Sequence, residues 1–129
     1  MTGNQKPKIL YVDDEAINLE LFQLAFEDLF EIIVAESGME GLDMVSQSDD
    51  IDLIISDMKM PGISGMEFIS RTKQLKPEIP CIILSGYDKS KEIDEALEKK
   101  LILDYMMKPF NRNKIQKTLN EILLTKRSS

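Results

Sequence analysis

The sequence contains no histidine and only one cysteine, Cys81, among its 129 residues. The lack of histidine excludes Ser-His-Asp and Cys-His catalysis, zinc ligation by histidine and a phosphohistidine step within this chain. A single cysteine cannot form an intramolecular disulfide, and Cys81 lies in the apolar run 80–84, where it fits as a small buried side chain. Chemistry in this chain must therefore come from carboxylates, hydroxyls and lysines.

A basic surface and a long hydrophobic run are also missing. The net charge of -7 disfavours sequence-independent binding to nucleic acid or to an anionic membrane. No apolar run approaches the ~18 residues that span a bilayer, and residues 1–7 lack the apolar core of a signal peptide. We therefore expect a cytoplasmic protein without nucleic-acid or membrane partners. Its length and its 43% hydrophobic residues are typical of one globular domain.

Five short apolar runs alternate with helical patterns along the chain. The runs predict strands at residues 8–13, 31–35, 52–57, 81–85 and 102–107. This alternation predicts right-handed βαβ units. The expected fold is α/β, doubly wound and flavodoxin-like, with a five-stranded parallel sheet in the order 2-1-3-4-5 and five flanking helices. Residues 1–7 are predicted to be a flexible N-terminus, residues 8–124 the domain, and residues 125–129 a short C-terminal tail.

Acidic residues end the first and third strands. Asp13 and Asp14 follow strand one, and Asp57 follows strand three, just before a Pro-Gly turn at 61–62. A lone aspartate there often only ends a strand, because aspartate is common in turns. The predicted order, however, makes strands one and three neighbours, so the three carboxylates converge on one crevice. Converging carboxylates repel one another unless a cation lies among them, and oxygen-only ligation favours Mg²⁺.

A hydroxyl and a lysine are expected at the same sheet edge. Ser85 ends strand four, and Lys108 ends strand five. The set predicts phosphoryl transfer, in which Asp57 accepts a phosphoryl group as an acyl phosphate and the metal, Lys108 and Ser85 stabilise its charge. Asp57 needs no separate base, because a carboxylate is ionised near neutral pH. Since the chain has no histidine, the phosphoryl donor must come from outside it.

Four motifs lie at these strand ends. They are Val12-Asp13-Asp14-Glu15, Ser56-Asp57-Met58-Lys59-Met60-Pro61-Gly62 with Gly65 downstream, Leu84-Ser85-Gly86, and Asp104-Tyr105-Met106-Met107-Lys108-Pro109-Phe110. Each motif alone is weak evidence. Together and in this order, they resemble the receiver domain of two-component response regulators, and the resemblance covers residues 8–124.

The resemblance implies a role for each matching acid at the crevice. Asp57 matches the phospho-acceptor, which receives its phosphoryl group from a histidine kinase or phosphotransfer protein. Asp14 matches the direct Mg²⁺ ligand, and Asp13 matches the acid that usually acts through water. Met58 matches the residue that lends a backbone carbonyl to the metal.

The resemblance also implies residues that respond to phosphorylation. Ser85 matches the switch hydroxyl that moves toward the phosphoryl group, and Tyr105 matches the aromatic that rotates with it. Without the resemblance, Tyr105 would be interpreted as half-buried packing. Lys108 matches the lysine that faces the phosphoryl group, and its bond to Pro109 is expected to be cis.

Some positions vary within the family or depart from it. Lys59 and Tyr87 occupy positions where the family varies its rate of self-dephosphorylation. Leu101-Ile102 replace the usual Gly-Ala before strand five, so helix four must end without the glycine that adopts left-handed geometry most easily. The backbone geometry at this point stays open.

We expect a phosphorylation-dependent signalling switch and not an enzyme. Its partners would be a histidine kinase or phosphotransfer protein and an output partner or domain, and the face of helix four, strand five and helix five is a candidate homodimer surface. One alternative is a Mg²⁺-dependent aspartyl-phosphate phosphatase of the haloacid dehalogenase type. That enzyme normally carries a second acid two residues after its nucleophile, where Lys59 stands here. The other alternative is a receiver-like scaffold that works without phosphorylation.

The first helix, at residues 16–30, has apolar residues on two faces. Its predicted core face carries Asn18, Leu21, Phe22, Ala25 and Leu29. Ile17 and Leu24 lie roughly 100° from the centre of that face. We hypothesise that Ile17 and Leu24 form an exposed apolar dock for the phosphoryl donor beside the crevice. The alternative is that they pack against loops and widen the buried face.

Overall fold

The computed structural model describes residues 6–86 and 89–128, with side chains through residue 125. Its strands form one parallel sheet in the order β2-β1-β3-β4-β5, which confirms the predicted doubly wound α/β fold. The strands are β1 (Lys8–Val12), β2 (Glu31–Ala35), β3 (Leu53–Ser56), β4 (Cys81–Ser85) and β5 (Asp104–Met107). The helices are α1 (Ala16–Phe26), α2 (Gly38–Gln47), α3 (Gly65–Leu75), α4 (Lys91–Glu98) and α5 (Arg112–Ser128). No helix in the described ranges combines the length and the apolar character needed to cross a membrane.

A hydrophobic core lies on each face of the sheet. Alternate residues of a strand point to opposite faces, so Ile9 and Tyr11 of β1 pack with α1 and α5, while Leu10 and Val12 pack with α2, α3 and α4. Strands β3 and β4 are buried along their whole length, as expected for central strands covered on both faces. Ligands can therefore reach the central strands only at their ends.

Helix α1 ends at Phe26, four residues earlier than predicted, and it buries a different face. Its buried residues are Leu19, Phe22 and Phe26. Of the predicted core face only Phe22 is fully buried, and Leu21 is 50% exposed. The physical reason is aromatic packing, because the Phe22 ring stacks on Tyr11 with centroids 4.4 Å apart. The apolar pattern of the helix is compatible with more than one inward face, and the stack on Tyr11 determines which face is buried.

Both ends of the chain are more structured than predicted. Helix α5 continues through Ser128, so residues 125–128 are helical and do not form the predicted tail. At the other end, Lys6 Nζ donates to the Glu27 carbonyl at 3.0 Å, and the Glu31 amide donates to the Pro7 carbonyl at 2.9 Å. The rest of the predicted flexible N-terminus, residues 1–5, lies outside the described residues.

A lysine follows helix α4 at the left-handed position where glycine is usual. Lys100 has a left-handed φ of 61°. Its amide donates to the Leu97 carbonyl at 3.1 Å, and the Leu101 amide donates to the Ala96 carbonyl at 2.9 Å. These two bonds form a Schellman motif, the common helix end that usually has glycine at the left-handed position. Strand β5 then begins at Asp104, two residues later than predicted.

Candidate functional site

The carboxyl ends of β1 and β3 lie side by side. Val12 pairs with Ser56 in the parallel register, and the Asp57 amide donates to the Val12 carbonyl at 2.9 Å. The Lys108 amide donates to the Ser85 carbonyl at 2.8 Å, which joins the ends of β4 and β5 in the same way. The sheet thus brings polar residues from four separate strand ends to one edge.

Three carboxylates meet at this edge. Carboxylate oxygens of Asp13, Asp14 and Asp57 all lie within 4.8 Å of one another. Asp13 and Asp57 are buried, whereas Asp14 is exposed at the rim. An oxygen-only set of this size fits a hard divalent cation that keeps several of its waters, which is the coordination that Mg²⁺ prefers. The acidic cluster is therefore able to hold a metal ion.

Lys108 reaches between the two buried carboxylates. Its Nζ lies 2.7 Å from Asp13 Oδ2 and 3.3 Å from Asp57 Oδ2. Burial lowers the pKa of Lys108, but its hydrogen bond to Asp13 and the charges of both carboxylates outweigh burial, so the pKa is raised. Burial raises the pKa of Asp57, with Lys108 opposing that rise and Asp13 adding to it. A fixed positive charge therefore lies beside the Asp57 carboxylate.

The Asp13 carboxylate accepts hydrogen bonds on both oxygens. Its Oδ2 accepts from the Tyr11 hydroxyl at 2.9 Å and from the Asn18 side-chain amide at 3.2 Å, in addition to Lys108. Its Oδ1 accepts from the Glu15 backbone amide at 2.9 Å. Oδ2 therefore has three donors for its two lone pairs, whereas Oδ1 accepts one hydrogen bond and keeps a lone pair for a further ligand.

Two of these contacts, from Tyr11 and Asn18, are absent from the site predicted from sequence. Tyr11 precedes Asp13 by two residues on one strand, a spacing that places both side chains on the same face. Asn18 lies in the first turn of α1, close to the end of β1. For both residues, the sequence signal that could have found them is their spacing from Asp13. A tyrosine inside an apolar strand, however, is also typical of ordinary core packing.

The loop after Asp57 is held against the start of α3. The Met58 amide donates to Asp57 Oδ1 at 2.8 Å, and the Gly65 amide donates to the Met58 carbonyl at 2.7 Å. A Cβ atom on Gly65 would lie 1.9 Å from the Asp57 carbonyl oxygen, so only glycine fits at this close approach. The Met58 carbonyl is the predicted backbone ligand of the metal. Its hydrogen bond from the Gly65 amide already uses one of its lone pairs.

Ser85 ends β4, and Tyr105 is the second residue of the neighbouring strand β5. Ser85 is fully buried, and Tyr105 packs partly against the core shared with α2, α3 and α4. Within the described part of the chain, the buried Tyr105 hydroxyl makes no hydrogen bond. Tyr105 is therefore half-buried against this core, and its role as a switch residue stays a prediction.

The other predicted positions surround the same crevice. The peptide bond between Lys108 and Pro109 is cis, as predicted. Lys59 is exposed in the loop beyond Asp57. Tyr87 lies outside the described residues.

The fold and the site together define the receiver class of signalling domains. A family model for the response regulator receiver domain matches residues 9–120, which is most of the chain. Sporulation initiation phosphotransferase F of Bacillus subtilis strain 168 is 32% identical, and the match covers 90% of this chain and 93% of that protein. The chain therefore belongs to the response regulator receiver domain family.

Longer relatives and solved structures agree with this membership. Transcriptional regulatory protein ZraR of Klebsiella oxytoca is 32% identical over 100% of the chain, but the chain spans only 29% of ZraR. A crystal structure of a response regulator receiver domain protein from Clostridium thermocellum has a TM-score of 0.84 and 32% identity, and the match covers 94% of this chain and 97% of that one. Response regulator TrrA from Thermotoga maritima, in complex with Mg²⁺-BeF, has a TM-score of 0.78 and 31% identity, with 90% and 98% coverage.

Proposed function

We propose that this receiver domain is a phosphorylation-dependent signalling switch in which Asp57 accepts the phosphoryl group. The observation that carries the proposal is the position of the Asp57 carboxylate, within 4.8 Å of the other two acids and 3.3 Å from Lys108 Nζ. A carboxylate oxygen of Asp57 attacks phosphorus, and the bond to the leaving atom breaks with its electron pair going to that atom. Membership of the receiver family supports a phosphohistidine on a histidine kinase or phosphotransfer protein as the donor, and that histidine lies outside this chain, which has none.

The three acids are the proposed Mg²⁺ site, with Asp14 and Asp57 as direct ligands and Asp13 acting through water. Bound Mg²⁺ supplies positive charge that neutralises the phosphoryl oxygens. The Lys108 ammonium supplies a second positive charge beside Asp57. The Met58 carbonyl is the weakest member of the proposed ligand set, because it already accepts the Gly65 amide at 2.7 Å.

Ser85 and Tyr105 are the proposed switch residues. The Ser85 hydroxyl would donate to the phosphoryl group, and the Tyr105 ring would rotate into the space beside it. The buried Tyr105 hydroxyl has no hydrogen-bond partner among the described residues, and an unsatisfied buried hydroxyl costs about 1–3 kcal/mol. This cost favours rotation of the ring to a second position in which the hydroxyl is satisfied. Lys59 and Tyr87 are proposed to set the lifetime of the acyl phosphate.

Two surfaces are proposed for partners. The donor docks on an apolar stripe of α1 formed by Ile17, Leu21 and Leu24, all of which are exposed. An output partner or a second copy of the chain binds the face of α4, β5 and α5, where Met107 on the edge strand is half-exposed. A rise in molecular mass on phosphorylation, measured by light scattering, would identify the second copy as the occupant.

Intact-protein mass spectrometry tests the central proposal. Acetyl phosphate with Mg²⁺ should add one phosphoryl group, which Asp57→Asn should abolish and EDTA should strongly suppress. Asp43→Asn, which changes an exposed aspartate of α2, is the matched control and should label normally. A label that persists in Asp57→Asn would show that the acceptor is another residue. Steady hydrolysis of a separate phosphate ester would instead support the phosphatase alternative.

A further inference from the structure

Oδ2 of Asp13 accepts hydrogen bonds from three side chains, and Lys108 is only one of them. The Tyr11 hydroxyl lies 2.9 Å from this oxygen and the Asn18 amide 3.2 Å, compared with 2.7 Å for the Lys108 ammonium. Asp13 is completely buried, so bulk water does not compete for the oxygen. The three donors therefore share the negative charge of one oxygen atom.

Tyr11 is held firmly at this position by the fold. Its side chain is buried, and its ring stacks on Phe22 with centroids 4.4 Å apart. Tyr11 and Asp13 are alternate residues on one face of the chain at the end of β1, so the hydroxyl points along the strand toward the carboxylate. A phenylalanine would make the same ring contacts. The hydroxyl is needed only for its hydrogen bond to Asp13.

We propose that Tyr11 is a positioning residue for the phosphorylation of Asp57, acting through Asp13 and Lys108. Lys108 Nζ lies 2.7 Å from Asp13 but 3.3 Å from Asp57, so the two carboxylates compete for one ammonium group. By donating to Asp13, Tyr11 weakens the attraction of Asp13 for Lys108. The ammonium is then available to Asp57 and to the incoming phosphoryl group. This inference rests on the proposed function, because it concerns the rate of the same reaction.

The variant Tyr11→Phe removes the hydroxyl and keeps the ring in place. With acetyl phosphate at saturating Mg²⁺, the rate of Asp57 phosphorylation should fall about three- to tenfold, because Lys108 shifts toward Asp13. Saturating Mg²⁺ removes any contribution from altered metal affinity. Phe30→Leu is the matched control, since it disturbs the same core through a ring that packs on Phe26, while the Tyr11–Phe22 stack and the Tyr11 hydroxyl are kept. Its rate should stay within about twofold of the wild-type rate.

Two further variants separate positioning from general stability. Asn18→Ala should lower the rate less than Tyr11→Phe, because the Asn18 amide is shared between Asp13 and Glu15 Oε1 at 3.2 Å each. In a Lys108→Ala background, Tyr11→Phe should have almost no additional effect, because the group that it positions is gone. A purely structural perturbation would lower the rate equally in both backgrounds.

The outcomes distinguish this inference from the proposed function. If the wild-type chain is not labelled at Asp57, the proposed function itself fails. If the wild type is labelled and Tyr11→Phe reacts at the same rate, only the role of Tyr11 is refuted. An equal loss in Phe30→Leu, or an undiminished effect of Tyr11→Phe in the Lys108→Ala background, would also refute it.

Discussion

The Lys108 ammonium lies 2.7 Å from the Asp13 carboxylate, although 95 residues separate the two positions in the chain. The contact joins the loop after β5 to the end of β1 across the intervening strands β3 and β4. It places a positive charge among carboxylates that are also able to attract a metal cation. Lysine and metal therefore compete for the same negative charge.

Lys108→Ala should raise the affinity for Mg²⁺, because a competing cation is removed from the acidic cluster. Mg²⁺ titration followed by NMR measures the change, and Lys117→Ala, which removes one positive charge from an exposed position of α5, is the control. The phosphorylated Lys108→Ala variant should no longer activate an output partner. A large loss of Mg²⁺ binding in Lys108→Ala would contradict the geometry described for this site.

Gly65→Ala should lower the free energy of unfolding by about 3 kcal/mol or more, because its Cβ would overlap backbone atoms that cannot move freely. The loop that carries Asp57 would have to shift, so labelling by acetyl phosphate should also slow. Gly86→Ala is the control for stability, since no atom of the described residues lies within 4 Å of the added Cβ. That variant should change the free energy of unfolding by less than about 0.5 kcal/mol. Equal stability of the two variants would show that α3 does not approach the Asp57 loop this closely.

Lys100→Gly should stabilise the protein by about 1 kcal/mol, because glycine adopts the left-handed φ of 61° without the steric cost that a Cβ imposes. The melting temperature should rise by about 3–5 °C. Lys99→Gly removes the same charge one residue earlier, where φ is -82°, and should give no stabilisation. A lower melting temperature for Lys100→Gly than for the wild type would contradict the Schellman motif.

Ile17→Ser with Leu24→Ser should leave labelling by acetyl phosphate unchanged and abolish transfer from a histidine kinase or phosphotransfer protein that labels the wild type. Ile17 is 58% exposed and Leu24 62% exposed, so neither change should destabilise the core. The control pair is Leu75→Ser with Leu103→Ser, two half-exposed leucines that precede β4 and β5 and so lie towards the amino ends of the strands. This pair should retain both reactions. Loss of both reactions together with a lower melting temperature would place Ile17 and Leu24 in the core instead.

Cys81 should not react with thiol reagents in the native protein. The side chain is fully buried, and burial raises the pKa of the Cys81 thiol to about 12, although the charge of Lys73 opposes that rise. The reactive thiolate is therefore scarce near neutral pH. One thiol should become available in guanidinium chloride, as measured with a chromogenic disulfide. Rapid labelling under native conditions would mean that β4 opens locally.

The strands were the most predictable elements. The observed limits of β2 and β4, residues 31–35 and 81–85, are those predicted from the apolar runs. Strands that are covered on both faces have continuous apolar sequences that end abruptly at polar turns. The handedness of βαβ connections then restricts the strand order, and this brings Asp13 and Asp57 together without any knowledge of side-chain contacts.

Helix α1 shows where the pattern of apolar residues is insufficient. The large apolar side chains of α1 cover more than half of its circumference at 100° per residue. They are Ile17, Leu19, Leu21, Phe22, Leu24 and Phe26. Several orientations would bury a similar apolar area, so periodicity does not select the inward face. Aromatic contacts with Tyr11 and neighbouring rings select it in the folded protein, and they leave Leu21 exposed beside Ile17 and Leu24.

The sequence alone identifies the candidate reacting groups, because residue type and position at a strand end predict which carboxylates, hydroxyl and lysine lie at one edge of the sheet. Only the tertiary structure decides how the Lys108 ammonium is shared between the Asp13 and Asp57 carboxylates. This sharing depends on distances of 2.7 Å and 3.3 Å between atoms on separate strands. Hydrogen bonds depend steeply on distance and direction, and the packing of whole side chains sets both. The same packing orients Tyr11 toward Asp13, a contact that no local pattern in the sequence distinguishes from ordinary core packing.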